Sequence, residues 1–125
     1  MKKIISKGAP APIGHYSQAI VAGGFLWCSG QLGLEPQTGA LVTGGFEPQL
    51  RQVFKNLSQV LDTAELRVDS VIKITLYLTD LSNFNCVNQI FEEFFGAHKP
   101  ARTTVEVSAL PAQALVELDC VAITK

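Results

Sequence analysis

Cysteine is scarce in this chain of 125 residues: Cys28, Cys86 and Cys120 are an odd count, far apart and without a C-x-x-C pair. That spacing excludes a disulfide framework and a thiolate zinc site, and the three are expected as buried free thiols. Charge is also scarce, at 17% of residues with a formal net charge of -1. The densest basic cluster is Lys2, Lys3 and Lys7, too little for a phosphate backbone, so no nucleic-acid partner is expected. No apolar run is long enough for a signal peptide or a membrane span, which predicts a soluble, cytoplasmic protein. Low-complexity stretches, internal repeats and dividing linkers are missing too. Residues 1–125 therefore read as a single domain, large enough to fold without staples.

Apolar residues, by contrast, make up 47% of the chain. This is much for a small domain that must wrap its core in solvated surface, and it predicts apolar surface buried between subunits. Glycine and proline punctuate the first third. Ser17 to Val21 and Phe25 to Ser29 read as a hairpin around Gly23-Gly24, and Gly30 to Gly45 as loop with a short strand around Ala40 to Val42. From Pro48 the period changes: Leu50, Val53, Phe54, Leu57, Val60, Leu61 and Ala64 form one helical stripe. Val71 to Leu78 alternates as a strand, with Ile72, Ile74, Leu76 and Leu78 on one face. A second helix follows, with Ser82 as N-cap, Phe84, Val87, Phe91, Phe94 and Phe95 as its stripe and Gly96 as its end.

The last quarter holds two alternating segments, PARTTVEV (Pro100 to Val107) and ALVELDCVAI (Ala114 to Ile123). Alternation puts Arg102, Thr104 and Glu106 on one face of the first, and Glu117 and Asp119 together on one face of the second. The expectation is that arginine and carboxylates converge on one sheet face, a pairing suited to gripping a small acid beside a managed water. The element order is strand, strand, helix, strand, helix, strand, strand. It predicts an α+β fold, with two one-sided helices on one face of a mixed sheet and an uncovered second face carrying Val71, Tyr77, Arg102, Glu117, Val121 and Ile123.

Several of these segments together resemble the RidA (YjgF) family of reactive-intermediate deaminases. They are IGHYSQAI (Ile13 to Ile20), CSGQLGL with PQTG (Cys28 to Gly39), QLRQVFKNL (Gln49 to Leu57), VIKITLYLTDLSNFNCVN (Val71 to Asn88), PARTTVEV and VELDCVAI. The resemblance covers nearly the whole chain. It implies a chorismate-mutase-like subunit, a homotrimer with a central β-barrel, and clefts between subunits in which 2-imino and 2-keto acids are bound. No metal and no organic cofactor is implied.

The resemblance also implies roles. Arg102 stands at the carboxylate-binding position, and Glu117 at the acid-base position that handles the attacking water. Tyr16 is similar to the tyrosine of an I-G-P-Y segment, with His15 in place of the proline, which frees the preceding backbone and adds a titratable group. Thr104 replaces a cysteine that contacts ligand through its backbone, Gly30 lets backbone approach substrate, and Asn88 matches a polar site residue. Residue context alone leaves blander readings for four of them: an ion pair of Arg102 with Glu106 or Glu117, a solvated edge carboxylate at Glu117, a turn glycine at Gly30 and an exposed helix asparagine at Asn88. His98 has no partner at metal-ligand spacing. The implied activity is hydrolysis of 2-aminoacrylate-type enamines and imines to 2-keto acids and ammonia. The alternatives are a non-catalytic trimer that senses keto acids or amino-acid metabolites, and an endoribonuclease or translation inhibitor.

Overall fold

The computed structural model describes residues 1–124. In chain order it contains β1 (Lys2–Ile4), β2 (Ala19–Ala22), β3 (Phe25–Leu32), α1 (Phe46–Thr63), β4 (Val71–Leu78), α2 (Phe84–Phe95), β5 (Ala101–Glu106) and β6 (Val116–Ile123). One mixed sheet runs β1-β2-β3-β6-β4-β5. Only β4 and β5 pair in parallel, joined by α2; the C-terminal β6 slots between β3 and β4, antiparallel to both. β6 is therefore a central strand, and Glu117 is not an edge carboxylate.

Both helices form because their apolar residues recur at helical spacing, and both bury that stripe against the same sheet face. Leu50, Val53, Phe54, Leu57, Val60 and Leu61 of α1 and Val87, Ile90, Phe91 and Phe95 of α2 meet Leu26, Ile74, Leu76, Leu78, Val116 and Leu118. The aromatic side chains lock the helices together, with the Phe54 and Phe94 rings stacked at 4.2 Å and Phe91 edge-on to Phe54 at 5.2 Å. Cys28 and Cys120 are register partners inside this core. The thiol of Cys28 and burial hold Cys120 protonated, its pKa driven far above the usual thiol range.

Several expectations need correction. β1 has no counterpart in the sequence pattern, because three residues, two of them exposed lysines, show no alternation. β3 runs on past Ser29 to Leu32 through a bulge between Cys28 and Gln31. The short strand near Ala40 to Val42 is a single bridge, Leu34 to Leu41. A second bulge between Val71 and Lys73 inverts the start of β4, so that Val71 is buried and Ile72 is 38% exposed. Ser82 is not a cap; its N–H donates to Asp80 Oδ1 at 2.9 Å, in the turn before α2. Phe84 is off the core stripe, and Cys86 is only half-buried.

The face away from the helices carries Phe25, Trp27, Thr75, Tyr77, Val105, Glu117, Asp119, Val121 and Ile123, read from register and alternation. Trp27 is 51% exposed and Ile123 38%, so the second face is uncovered and partly apolar, as composition predicts. Arg102 and Val71 are not on it.

Candidate functional site

β5 pairs with β4 in the register Ile74 to Arg102, Leu76 to Thr104 and Leu78 to Glu106. Paired residues point to one side, so Arg102, Thr104 and Glu106 share the helix face with the core leucines. β6 pairs Tyr77 with Glu117 and Thr75 with Asp119, on the opposite face. The expected convergence of Arg102 and Glu117 on one sheet face is thus incorrect for a single chain. Alternation sorts residues within each strand, but strand register decides which alternate set faces the helices.

Glu117 lines a cleft of about 630 Å³ together with Tyr16, Gln18, Ser29, Gly30, Gln31 and Pro111, among others. Burial, and secondly the charge of Asp119, hold its carboxyl above the usual carboxylate range. Gly30 explains how the carboxylate fits: a Cβ there would lie 2.7 Å from the Glu117 carboxyl carbon. The glycine sits in the β3 bulge, so the bulge and the missing side chain together seat Glu117 against backbone. A turn at Pro111–Gln113, with Ala112 and Gln113 at φ 59 and 58, closes one side.

The cleft walls are tied by buried amides. Gln18 Oε1 accepts from Ser6 N–H at 2.6 Å, while its Nε2 donates to the carbonyls of Ser6, Ala9 and Pro10. Asn56 Nδ2 donates to the Leu32 and Leu34 carbonyls, both at 3.0 Å, and Gln49 Oε1 accepts from Leu115 N–H at 2.9 Å. Gln18 ties the Ser6–Pro10 loop to the start of β2, Asn56 ties the end of β3 to α1, and Gln49 ties the approach to β6 to α1. Sequence reasoning missed these residues, although Gln49 and Asn56 fall on the apolar stripe of α1 with Val53 and Val60, where a polar residue signals a buried partner. Tyr16 is 52% exposed at the cleft, its Oη accepting from Ile13 N–H at 3.2 Å. His15 is exposed and is not among the lining residues.

Arg102 lies in a second depression, about 390 Å³, with Asn88, Phe91, Phe95, His98 and Lys99. Its guanidinium carbon is 4.8 Å from the Phe91 ring centroid and 5.4 Å from that of Phe84, and Nη2 donates to Asn88 Oδ1 at 2.9 Å. Rings and a neutral amide position the cation without neutralising it. The three ion pairs among the described residues involve Arg51 and Arg67. Glu106, one candidate partner, accepts from Leu81 N–H at 2.9 Å instead. Partial burial lowers the Arg102 pKa. The Thr104 hydroxyl is buried without a hydrogen-bond partner. Nearby, His98 Nε2 donates to the Val71 carbonyl at 2.6 Å, which satisfies a group outside the β4–β5 ladder, whose pairing starts at Lys73. Among the described residues no cluster of three or more His, Cys, Asp and Glu side chains is arranged to hold a metal ion. No helix of the described residues is long and apolar enough to cross a membrane.

The family profile described as endoribonuclease L-PSP matches residues 6–124, nearly the whole chain. The chain belongs to the RidA (YjgF) family. Among its relatives, the human 2-iminobutanoate/2-iminopropanoate deaminase is 38% identical over 124 residues, covering 98% of this chain and 90% of the human protein. A Rid-family protein of unknown function from Yersinia pestis has a crystal structure that superposes with a TM-score of 0.95 at 46% identity, covering 98% of both chains. TdcF of E. coli, crystallised with bound serine, superposes with a TM-score of 0.92 at 32% identity, covering 98% of both chains. The RidA-family fold thus brings together Glu117, Gly30 and Tyr16 in one cleft, and Arg102 and Asn88 in another.

Proposed function

We propose that this RidA-family chain is a homotrimeric enamine/imine deaminase whose site is completed across subunits, Arg102 from one chain facing the Glu117 cleft of its neighbour. The observation that carries the reading is the state of Arg102: aimed by Phe91, Phe84 and Asn88, but with no ion-pair partner among the described residues. A guanidinium held in this way is ready to take the carboxylate of a small 2-imino acid in a two-pronged hydrogen bond. The partly apolar open sheet face supports association of like chains, since Trp27, Val105 and Ile123 are left in water by a single copy.

In this mechanism the 2-aminoacrylate-type enamine first tautomerises to the imine. Glu117 takes a proton from water as its oxygen bonds to the imine carbon, giving a carbinolamine. The proton then passes to nitrogen, Glu117 takes the hydroxyl proton as the C=O bond forms and the C–N bond breaks, and 2-keto acid and ammonia leave. A carboxyl raised toward neutrality suits both transfers. Tyr16 and the backbone at Gly30 and Thr104 orient the substrate. No cofactor takes part in this scheme.

The test is the rate at which an imine generated in situ by an amino-acid oxidase becomes keto acid. Losing a charge-assisted pair worth about 1.5–3 kcal/mol, Arg102→Ala is expected to reduce kcat/KM about 10- to 100-fold. Glu117→Gln is expected to abolish turnover. A folded protein that accelerates no imine would sink the deaminase reading. The serine bound by TdcF supports a second one, a trimer that senses amino-acid metabolites, under which Glu117→Gln leaves ligand binding intact. The endoribonuclease description has less support, because a net charge of -1 without a basic stripe gives RNA phosphates little to hold.

A further inference from the structure

We propose that Asp119 and Tyr77 act as positioning residues for Glu117, a fixed anion and its phenol anchor that set the pH at which the Glu117 carboxyl gives up its proton. The inference rests on the reading of Glu117 as the acid-base group and asks what governs it.

The geometry starts from register. Tyr77 on β4 is the direct partner of Glu117 on β6, and Asp119 lies two residues along β6 on the same face. The Tyr77 Oη donates to Asp119 Oδ2 at 2.9 Å, so the phenol reaches diagonally past Glu117 to the second carboxylate. Asp119 is thereby held as a fixed acceptor, not a freely turning surface carboxylate. The hydrogen bond to Asp119 pushes the Tyr77 pKa above its usual value, so the phenol stays a donor through the neutral range.

Within one chain, the other groups facing Glu117 do not offset that charge. β3 contributes Ser29, Gly30 and Gln31, the loop before β2 Tyr16 and Gln18, and the turn before β6 Pro111 and Ala112, none of them cationic. Lys73, the nearest lysine on the same face of β4, is opposite Val121 and donates to Thr103 Oγ1 at 2.7 Å. Arg102 of the same chain is on the other face of the sheet; the neighbour's Arg102, which completes the proposed site, is the cation that faces Glu117, and it is common to wild type and to all three variants compared below. A carboxyl seated in a cleft, beside a second one that a phenol anchors, binds its proton more tightly, so Glu117 becomes the group that can both accept and return a proton.

The experiment is an NMR titration of the Glu117 side-chain carboxyl in the whole protein, paired with the pH profile of kcat/KM for imine hydrolysis. Wild type is compared with Asp119→Asn, Tyr77→Phe and the double variant. Asp119→Asn is expected to move the Glu117 midpoint, and the limb of the rate profile that it governs, to lower pH. Tyr77→Phe lets Asp119 turn away and reproduces part of that shift, while the double variant moves no further than Asp119→Asn. A Glu117 midpoint that stays put in Asp119→Asn overturns the proposal. So does a Tyr77→Phe substitution that shifts the midpoint as far on the Asp119→Asn background as it does in wild type. A midpoint that moves without the rate profile upholds the hold of the pair on Glu117 and removes the acid-base role proposed for Glu117.

Discussion

Glu117 sits in a cleft whose loops are tied to the core by buried amides, whereas Arg102 rests on aromatic rings at a sheet edge and is tied by one hydrogen bond to an exposed asparagine. The difference follows from what each end must hold. A desolvated carboxyl keeps its position only if backbone and loops cannot drift, and directional hydrogen bonds from Gln18, Asn56 and Gln49 supply that. A guanidinium needs its edge left free for a ligand, and a ring face holds it without using its donors. One end is built for fixed shape and the other for an open charge.

The largest expected effect separates the aromatic platform from the cation it supports. Phe91→Ala removes a buried ring that touches Phe54, Phe95 and Arg102, and is expected to cost about 3–5 kcal/mol. Chemical denaturation measures it. Phe91→Leu keeps most of the apolar volume and loses the π face, so it is expected to raise KM more than it lowers stability. Equal loss of stability in the two variants would mean that the ring serves Arg102 less than the core.

Next comes the amide end. Gln18→Ala orphans the Ser6 N–H and three carbonyls, and leaving a buried polar group unpaired costs roughly 1–3 kcal/mol. Thermal unfolding should show that loss, with faster proteolysis between Ser6 and Tyr16. A Gln18→Ala protein with wild-type stability and an unchanged proteolysis pattern would show that the loop is held by packing instead.

These two ends are not equally legible in the sequence. The helices, every strand but β1 and the uncovered face follow from periodicity, because burial on one side forces apolar residues to recur at 3.6 or 2. Motif resemblance singles out Arg102, Glu117 and Gly30, whereas alternation wrongly groups Arg102 with Glu117 on one face of a single chain. Alternation says which residues share a face of one strand and nothing of which face meets the helices; that depends on β6 entering between β3 and β4, and on two bulges. The bulge at Val71 reverses the reading of Ile72 for the same reason. Gln18 gives no signal because its partners are backbone groups of a loop without pattern.

A smaller effect tests whether polarity at the Arg102 end is used or merely tolerated. The Thr104 hydroxyl is buried without a partner, so Thr104→Val is expected to gain about 1 kcal/mol in thermal or chemical unfolding. Activity should be unchanged if Thr104 serves substrate through its backbone. A stable Thr104→Val protein that has lost turnover would show that the hydroxyl finds its partner in bound substrate.

The smallest effect distinguishes the two ends by pH. Burial, then the charge of Asp119, raise the Glu117 pKa in the fold above its value in the unfolded chain. Such a group binds its proton more tightly when folded, so its favourable contribution is complete below the ordinary glutamate range and is lost as pH climbs through the raised folded value. At neutral pH the ionised carboxylate therefore costs stability, and Glu117→Gln should unfold at a higher temperature than wild type. The gap should shrink toward zero as the pH falls below the ordinary glutamate range. Arg102 also has its charge disfavoured by burial, but it keeps its proton throughout, so any change on replacing it should be flat across the same window. Thermal unfolding of both variants at several pH values checks the pair. A pH-flat difference for Glu117→Gln would mean that the cleft does not desolvate its carboxylate, and the contrast between a closed acid and an open base would lose its electrostatic basis.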